Sequence, residues 1–259
     1  MQTLIYVFSG TGNSLLIANS IAKKLPQSKV IPLVDLLKTS LSPKLEDVNI
    51  GLIFPVYFYK MPAIVKRVLE ENLLPKSKTI FCITSSGEET PNVIYDVNKL
   101  LGKNGSSLAF GKSLSLADNS IILKTSLVQR NIALNELDLK IDEIVQHIKN
   151  MDHIPLVAPN LWHLTLSPLT KFSFIHLYSA QNRYVDSSCI NCNLCTRLCP
   201  VENIRNIDGK ISIGQNCEWC FACLNWCPTQ AIHFGKIHPH KTQQYHAPGI
   251  HSSQLSHRK

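Results

Sequence analysis

The sequence predicts an α/β fold: a five-stranded parallel sheet with helices on both faces, followed by a small α+β module organised by cysteines. Three observations carry that expectation. Apolar, β-rich runs alternate with amphipathic helical stretches from Thr3 to Ile148. The first run passes into a helix through Ser9-Gly10-Thr11-Gly12-Asn13-Ser14. Eight of the nine cysteines lie between Cys189 and Cys227, in two copies of one spacing.

The elements follow in order. Thr3 to Phe8 reads as a strand, and Leu15, Leu16, Ala18, Ile21, Ala22 and Leu25 recur at helical spacing behind it. Lys29 to Val34 is the second expected strand and Ile50 to Val56 the third. Pro62 to Leu73 is an amphipathic helix with Ile64, Val65, Val68 and Leu69 inward and Lys66, Arg67, Glu70 and Glu71 outward. Thr79 to Thr84 is the fourth strand, with Cys82 an inert core residue inside it. Pro91 to Leu101 is a helix closed by Gly102, Leu108 to Leu116 the fifth strand, and Glu136 to Ile148 the last helix. Ala117 to Gln129 is expected to be a connecting loop.

In such sheets a ligand sits beyond the carboxyl ends of the strands, where the strand order reverses. Three loops leave those ends. The first is Ser9 to Ser14, whose glycines let backbone approach a phosphate and whose helix N-terminus offers unpaired N–H groups. It lacks the Gly-Lys-Ser/Thr ending of an ATP loop and the third glycine of a dinucleotide fingerprint. A neutral, hydroxyl-rich cradle suits a terminal monophosphate; the plainer alternative is a turn that only caps a helix. The other two loops are Pro55-Val56-Tyr57-Phe58-Tyr59-Lys60-Met61-Pro62 and Ser85-Ser86-Gly87-Glu88-Glu89-Thr90.

The cysteines read Cys189, Cys192, Cys195, Cys199-Pro200 and then Cys217, Cys220, Cys223, Cys227-Pro228, each 28 positions after its counterpart. Three thiolates two residues apart wrap one face of an iron–sulfur cube, and the fourth iron takes a ligand from elsewhere. In the bacterial two-cluster pattern that ligand is the fourth cysteine of the other run. Cys189, Cys192, Cys195 and Cys227 are therefore assigned to one [4Fe–4S] cluster, and Cys217, Cys220, Cys223 and Cys199 to the second. Structural zinc drawn from two C-x-x-C pairs leaves the middle cysteine of each run unexplained. A disulfide framework belongs to short secreted chains.

At 259 residues the chain has room for two domains. A hydrophobic fraction of 44% and a charged fraction of 17% suit a globular protein. Met1 runs almost directly into an apolar strand, and no stretch supplies an uninterrupted membrane span of about 20 residues, so a cytoplasmic location is expected. The net charge of +8 divides evenly, with 17 basic and 13 acidic residues in 1–150 and 9 and 5 in 151–259. No basic patch follows, and ligating thiolates offset part of the excess. Nucleic acid is therefore not expected as a partner, whereas acidic redox proteins are, and the sequence leaves room for a homodimer.

The remaining segments are a linker, the module and a tail. Residues 151–180 are apolar, with Leu161, Trp162, Leu164, Leu166, Leu169, Phe172, Phe174, Ile175 and Leu177. Packing between domains and contact with a membrane surface are both readings of them, and their few cationic residues favour packing. Within the module, 181–236, Asp208-Gly209 between β-branched residues signals a hairpin. Asn191 and Asn193 tolerate left-handed backbone and can donate to cluster sulfur, and Trp219, Phe221 and Trp226 would exclude water from the clusters. The tail, 237–259, is expected to be flexible and solvated.

The loop Ser9 to Ser14 resembles the phosphate-binding loop of flavodoxins, and the whole chain resembles the flavodoxin–ferredoxin fusion proteins of anaerobic bacteria and archaea. The resemblance implies an FMN-binding domain over 1–150 and a two-cluster ferredoxin domain over 181–236. It implies that the loops at Pro55 to Lys60 and Ser85 to Gly87 bracket the flavin ring, with Tyr57 or Tyr59 stacked on it. Lys60 stands where flavodoxins carry acidic residues, and a cation there would raise the flavin potential. The implied function is electron transfer between clusters and flavin in anaerobic metabolism. The alternative is a flavin-dependent reductase fed through the clusters; a zinc-stabilised nucleic-acid binder would be colourless.

Overall fold

A computed structural model describes residues 2–38, 48–117, 125–157, 183–235 and 244–257. Five strands form one parallel sheet: β1 (Gln2–Val7), β2 (Ser28–Pro32), β3 (Val48–Pro55), β4 (Thr79–Ser86) and β5 (Phe110–Ser115), in the order β2-β1-β3-β4-β5. This is the flavodoxin-like doubly wound order, with its switch point between β1 and β3. All eight residues of β3 are buried, as a central strand covered on both faces requires. Helix α1 (Asn13–Lys24) packs against α4 (Leu127–Asn150), and α2 (Ala63–Glu70) against α3 (Pro91–Lys103). The pairs lie on opposite faces. On β5 the ring of Phe110 meets His147 of α4, while a Cβ at the next residue, Gly111, would strike Ile94 of α3.

Ile64, Val65, Val68 and Leu69 face inward as the pattern predicts, and Cys82 is fully buried. Several boundaries differ from the expectation. Strand β2 stops at Pro32, and Leu33–Leu37 forms a 3-10 turn that buries Leu33, Val34 and Leu36. Helix α3 runs through Gly102 to Lys103; the left-handed residue beyond its end is Gly105, at φ 72. Helix α4 starts at Leu127, inside the expected loop. Ser126 caps it by accepting from the Gln129 amide at 3.2 Å, and Gln129 Oε1 accepts from the Ser126 amide at 3.2 Å. The signal was the Ser-x-x-Gln of a capping box, overlooked because the helix's buried positions begin only at Leu137. The expectations for 118–124 and for most of the apolar linker, 158–182, lie outside the described residues.

The second module pairs β6 (Arg183–Val185) with β9 (Ile232–Phe234) antiparallel, around a hairpin of β7 (Ile204–Ile207) and β8 (Lys210–Ile213). Asp208 and Gly209 turn the hairpin with φ 49 and 79, the left-handed pair that matches strand twist. Two short helices, α5 (Leu194–Leu198) and α6 (Ala222–Asn225), pack on each other and follow the central cysteines of their runs. The sheet's core continues without a break into Leu198, Cys220, Ala222, Ala247, Ile250 and Leu255.

That continuity corrects the expected flexible tail over 244–257, whereas 237–243 and 258–259 lie outside the described residues. Residues 244–257 form a strap, with Tyr245, Ala247, Ile250 and Leu255 buried. The Ala247 amide donates to Thr11 O at 2.9 Å, and Tyr245 Oη donates to Asn13 Oδ1 at 2.6 Å. Further along, the His257 amide donates to Arg197 O at 2.9 Å. Counting histidines hid the four apolar residues that dock the segment. In the described residues no helix is long and apolar enough to cross a membrane.

Candidate functional site

The carboxyl ends of the sheet strands open into a cleft lined by Ser9, Gly10, Thr11, Asn13, Ser14, Pro55, Val56, Ser85, Ser86, Gly87 and Ala117. The three predicted loops thus converge there, because parallel strands send all their exits to one edge. Ser9 Oγ accepts from the Gly12 amide at 3.1 Å, and Ser14 Oγ and Ser85 Oγ share a hydrogen bond of 2.8 Å across the floor. Asn13 is held on both sides: its Nδ2 donates to Ala117 O at 2.9 Å while its Oδ1 accepts from Tyr245. No side chain caps the start of α1, so the helix N-terminus faces the cleft without a built-in acceptor.

Five predicted residues do not line the cleft. Gly12, at φ 105, takes the left-handed turn into α1, and a Cβ there would lie about 3 Å from Ala247 and Ile250 of the strap. The segment Tyr57 to Lys60 folds into a tight turn, with Phe58 at φ 52 and Tyr59 at φ 58. Reciprocal backbone hydrogen bonds of 2.9 Å between Tyr57 and Lys60 close it. Left-handed backbone at two successive aromatic residues is costly, so the turn is held by what those side chains touch. Phe58 meets the edge of Trp219 in the cysteine module, and Tyr59 Oη donates to Glu88. Tyr57 turns toward Cys217, Cys220 and Glu218, whose charges add to burial in driving its phenol pKa up. Neither predicted stacking ring therefore lines the cleft. Lys60 is exposed, and its charge acts on Asp96 of α3.

The first cysteine set gathers as the spacing predicts. Cys189, Cys192, Cys195 and Cys227 line one pocket together with Ile190, Asn193 and Ile232. Burial and the neighbouring Cys227, Cys192 and Cys189 push the Cys195 thiol up to about 11. Cys192 is exposed, as is Ile190 beside it. The second set is enclosed: Cys199, Cys220 and Cys223 are buried, and Cys217 is partly so. Burial raises the Cys217, Cys220 and Cys223 thiols, and each feels Cys199.

Both runs present the same local backbone. Asn191 and Asn193 flank Cys192 with φ 55 and 58, and Trp219 and Phe221 flank Cys220 with φ 58 and 53. In the second run this winding turns the Trp219 amide toward sulfur. The Trp219 amide donates to Cys217 Sγ at 3.4 Å, and the Asn203 amide to Cys199 Sγ at 3.2 Å. Asn193 Oδ1 accepts from Asn206 at 2.7 Å, anchoring the first turn to β7.

The donor set fits iron–sulfur clusters. Burial raises the thiols of Cys195, Cys217, Cys220 and Cys223, and a cationic centre with amide donors removes that penalty. Among the described residues no three His, Cys, Asp or Glu side chains form a group for a single metal ion. A cubane is ligated at four separate irons, so its sulfurs do not converge on one point. Buried Arg183 lies over the rings of Trp219 and Phe234 at 5.4 and 5.7 Å, and its charge lowers the Cys217 thiol against the effect of burial. The sequence reading missed Arg183, since a cation beside a strand carries no motif.

The inner set and the cleft share a wall. A Cβ on Gly10 would lie 2.3 Å from the Cys220 carbonyl oxygen, so only glycine lets the two backbones meet. Trp226, next to Cys227, donates from Nε1 to Gly10 O at 3.1 Å and stacks on His246 at 3.8 Å. Asn225, fully buried, accepts from the Tyr245 amide at 2.9 Å and from His246 Nε2 at 2.6 Å, which binds the strap to the cysteine run.

No family model matches the chain. Over 69 residues it is 28% identical to the thiosulfate reductase electron transfer subunit PhsB of Salmonella typhi, a match over 23% of this chain and 35% of that subunit. The chain thus spans about a third of the length of that relative. Among solved structures, the Trp repressor binding protein from Bacillus subtilis is similar at 12% identity and a TM-score of 0.37, covering 54% of this chain and 99% of that one.

Proposed function

We propose that the chain is an electron-transfer protein in which two [4Fe–4S] clusters, held by Cys189, Cys192, Cys195 and Cys227 and by Cys199, Cys217, Cys220 and Cys223, exchange electrons with an FMN in the cleft. The observation that carries this reading is the contact of Gly10 with the Cys220 backbone, which sets the phosphate loop directly against the inner cysteines. A bound FMN supplies a store for two electrons beside carriers of one. The chain's residues do the rest. Ser9, Gly10, Thr11, Asn13 and Ser14 offer hydroxyls, amides and a helix N-terminus to the phosphate. Ser85, Ser86 and Gly87 present polar backbone to the ring's edge, and Pro55 and Val56 supply its apolar wall. The exposed set with Cys192 and Ile190 is the docking end for an outside redox protein, and the buried set is the relay.

The similarity to an electron transfer subunit supports the same reading. Among the described residues no histidine, cysteine or charged side chain lines the cleft, which favours a carrier over a reductase. The experiment is anaerobic purification followed by iron, sulfide and flavin analysis. About eight irons, eight acid-labile sulfides and one FMN per chain are expected. A colourless protein, or one holding only zinc, refutes the proposal.

A further inference from the structure

The Tyr57 hydroxyl is buried and has no hydrogen-bond partner among the described residues. A phenol in that position loses its bonds to water and gains nothing in return, so it marks a place where an acceptor belongs. The acceptor is not in the cleft, because Tyr57 does not line it although its neighbours Pro55 and Val56 do. The ring is held edge-on against Phe8 at 6.4 Å, and Phe8 is itself enclosed. The turn closed by Tyr57 and Lys60 fixes the backbone. Phe58 on Trp219 and the Ile64 amide donating to Glu218 at 3.3 Å hold this loop against the Cys217 to Cys220 stretch. The groups near the hydroxyl are Cys217, Cys220 and Glu218.

We propose that Tyr57 donates its hydrogen bond to sulfur of the inner cluster, either a Cys217 or Cys220 thiolate or an inorganic sulfide, and thereby raises the reduction potential of that cluster. The inference rests on the reading of two clusters and a flavin given above. Hydrogen bonds to cluster sulfur stabilise the reduced, more negative state and move the potential up. Among the described residues no tyrosine lines the outer pocket, where Ile190, Asn193 and Ile232 do. Two sites of one sequence pattern thus differ by one further hydrogen bond to sulfur, supplied by a residue of the other domain.

The test is an EPR-monitored redox titration of the full chain purified without oxygen. In Tyr57→Phe, with cluster content unchanged, the midpoint of one cluster falls while the other cluster and the flavin hold theirs. Unchanged midpoints, or equal shifts of both clusters, overturn the inference. If that variant does not assemble, wild-type chain carrying 3-fluorotyrosine serves instead. Its more acidic phenol is a stronger donor and moves the same single midpoint upward; no movement overturns the inference. A chain without clusters overturns the proposed function and this inference with it, whereas a chain with both clusters and indifferent midpoints overturns only this one.

Discussion

The two cysteine sets have the same spacing and the same left-handed winding at the residues flanking their central cysteine, yet one is open and the other enclosed. The outer set looks onto solvent past Ile190. The inner set is covered by Trp219, Phe221 and Phe234 within the module, and by the Ser9 to Ser14 loop and the Tyr57 turn from the sheet domain. Local chain geometry follows from spacing, whereas environment follows from neighbours. In iron–sulfur chemistry the environment sets the potential, through charge, hydrogen bonds and solvent access. One motif used twice therefore furnishes an outward-facing site and an inward-facing one.

The largest expected effect separates the sets directly. On the proposed reading, Cys220→Ser is expected to remove the inner cluster and to leave a hydroxyl in a buried site against Gly10, at a cost of about 1–3 kcal/mol beyond the lost cluster. Cys192→Ser, at an exposed position, removes the outer cluster with little further cost. Iron content and thermal unfolding measure both, and equal losses of stability would erase the distinction. Next, Gly10→Ala drives a methyl group into the Cys220 carbonyl. It is expected to cost about 1–3 kcal/mol and to weaken flavin retention while leaving the outer cluster loaded. Retention of flavin as tight as in the parent chain would mean that the shared wall is not under strain.

A third test concerns the strap, which ties both regions together. Burial, aided by the charge of Lys38, holds His257 down at about 4 from an ordinary 6.5. The group is neutral in both folded and unfolded chains above pH 6.5. As pH falls from there toward 4, only the unfolded chain takes up the proton, so stability drops. The slope is at most about 1.4 kcal/mol per pH unit. His257→Gln removes that slope, and parallel unfolding curves for the two proteins would show that the histidine is not enclosed. The smallest effect is at Lys60, which is exposed and faces Asp96. Lys60→Glu should shift the flavin midpoint by the equivalent of no more than about 0.5 kcal/mol. A large drop would put the ammonium at the ring after all.

Much of this was legible because the signals were short-range. The Ser9 to Ser14 loop follows a strand and opens a helix, so its place at the strand ends follows from the alternation alone. Asn191, Asn193 and the Asp208-Gly209 turn take the left-handed backbone that their side chains tolerate. Trp219 and Phe221 take the same backbone against their preference, and the winding around Cys220 imposes it. The destinations of Tyr57, Phe58 and the strap were hidden, since each is decided by a partner far away in the chain. Tyr245 meets Asn13 across 232 positions and Trp226 meets Gly10 across 216.

The sequence by itself determined the parallel sheet, the cleft loops and the sorting of Cys189, Cys192, Cys195 and Cys227 into one pocket, because periodicity and spacing act over a few residues. Only the tertiary structure decided that the inner cysteines lie against the Ser9 to Ser14 loop, that Tyr57 turns from the cleft toward them, and that residues 244–257 strap the two together. Those outcomes depend on which apolar and polar surfaces fit one another. That complementarity exists only once the whole chain has packed.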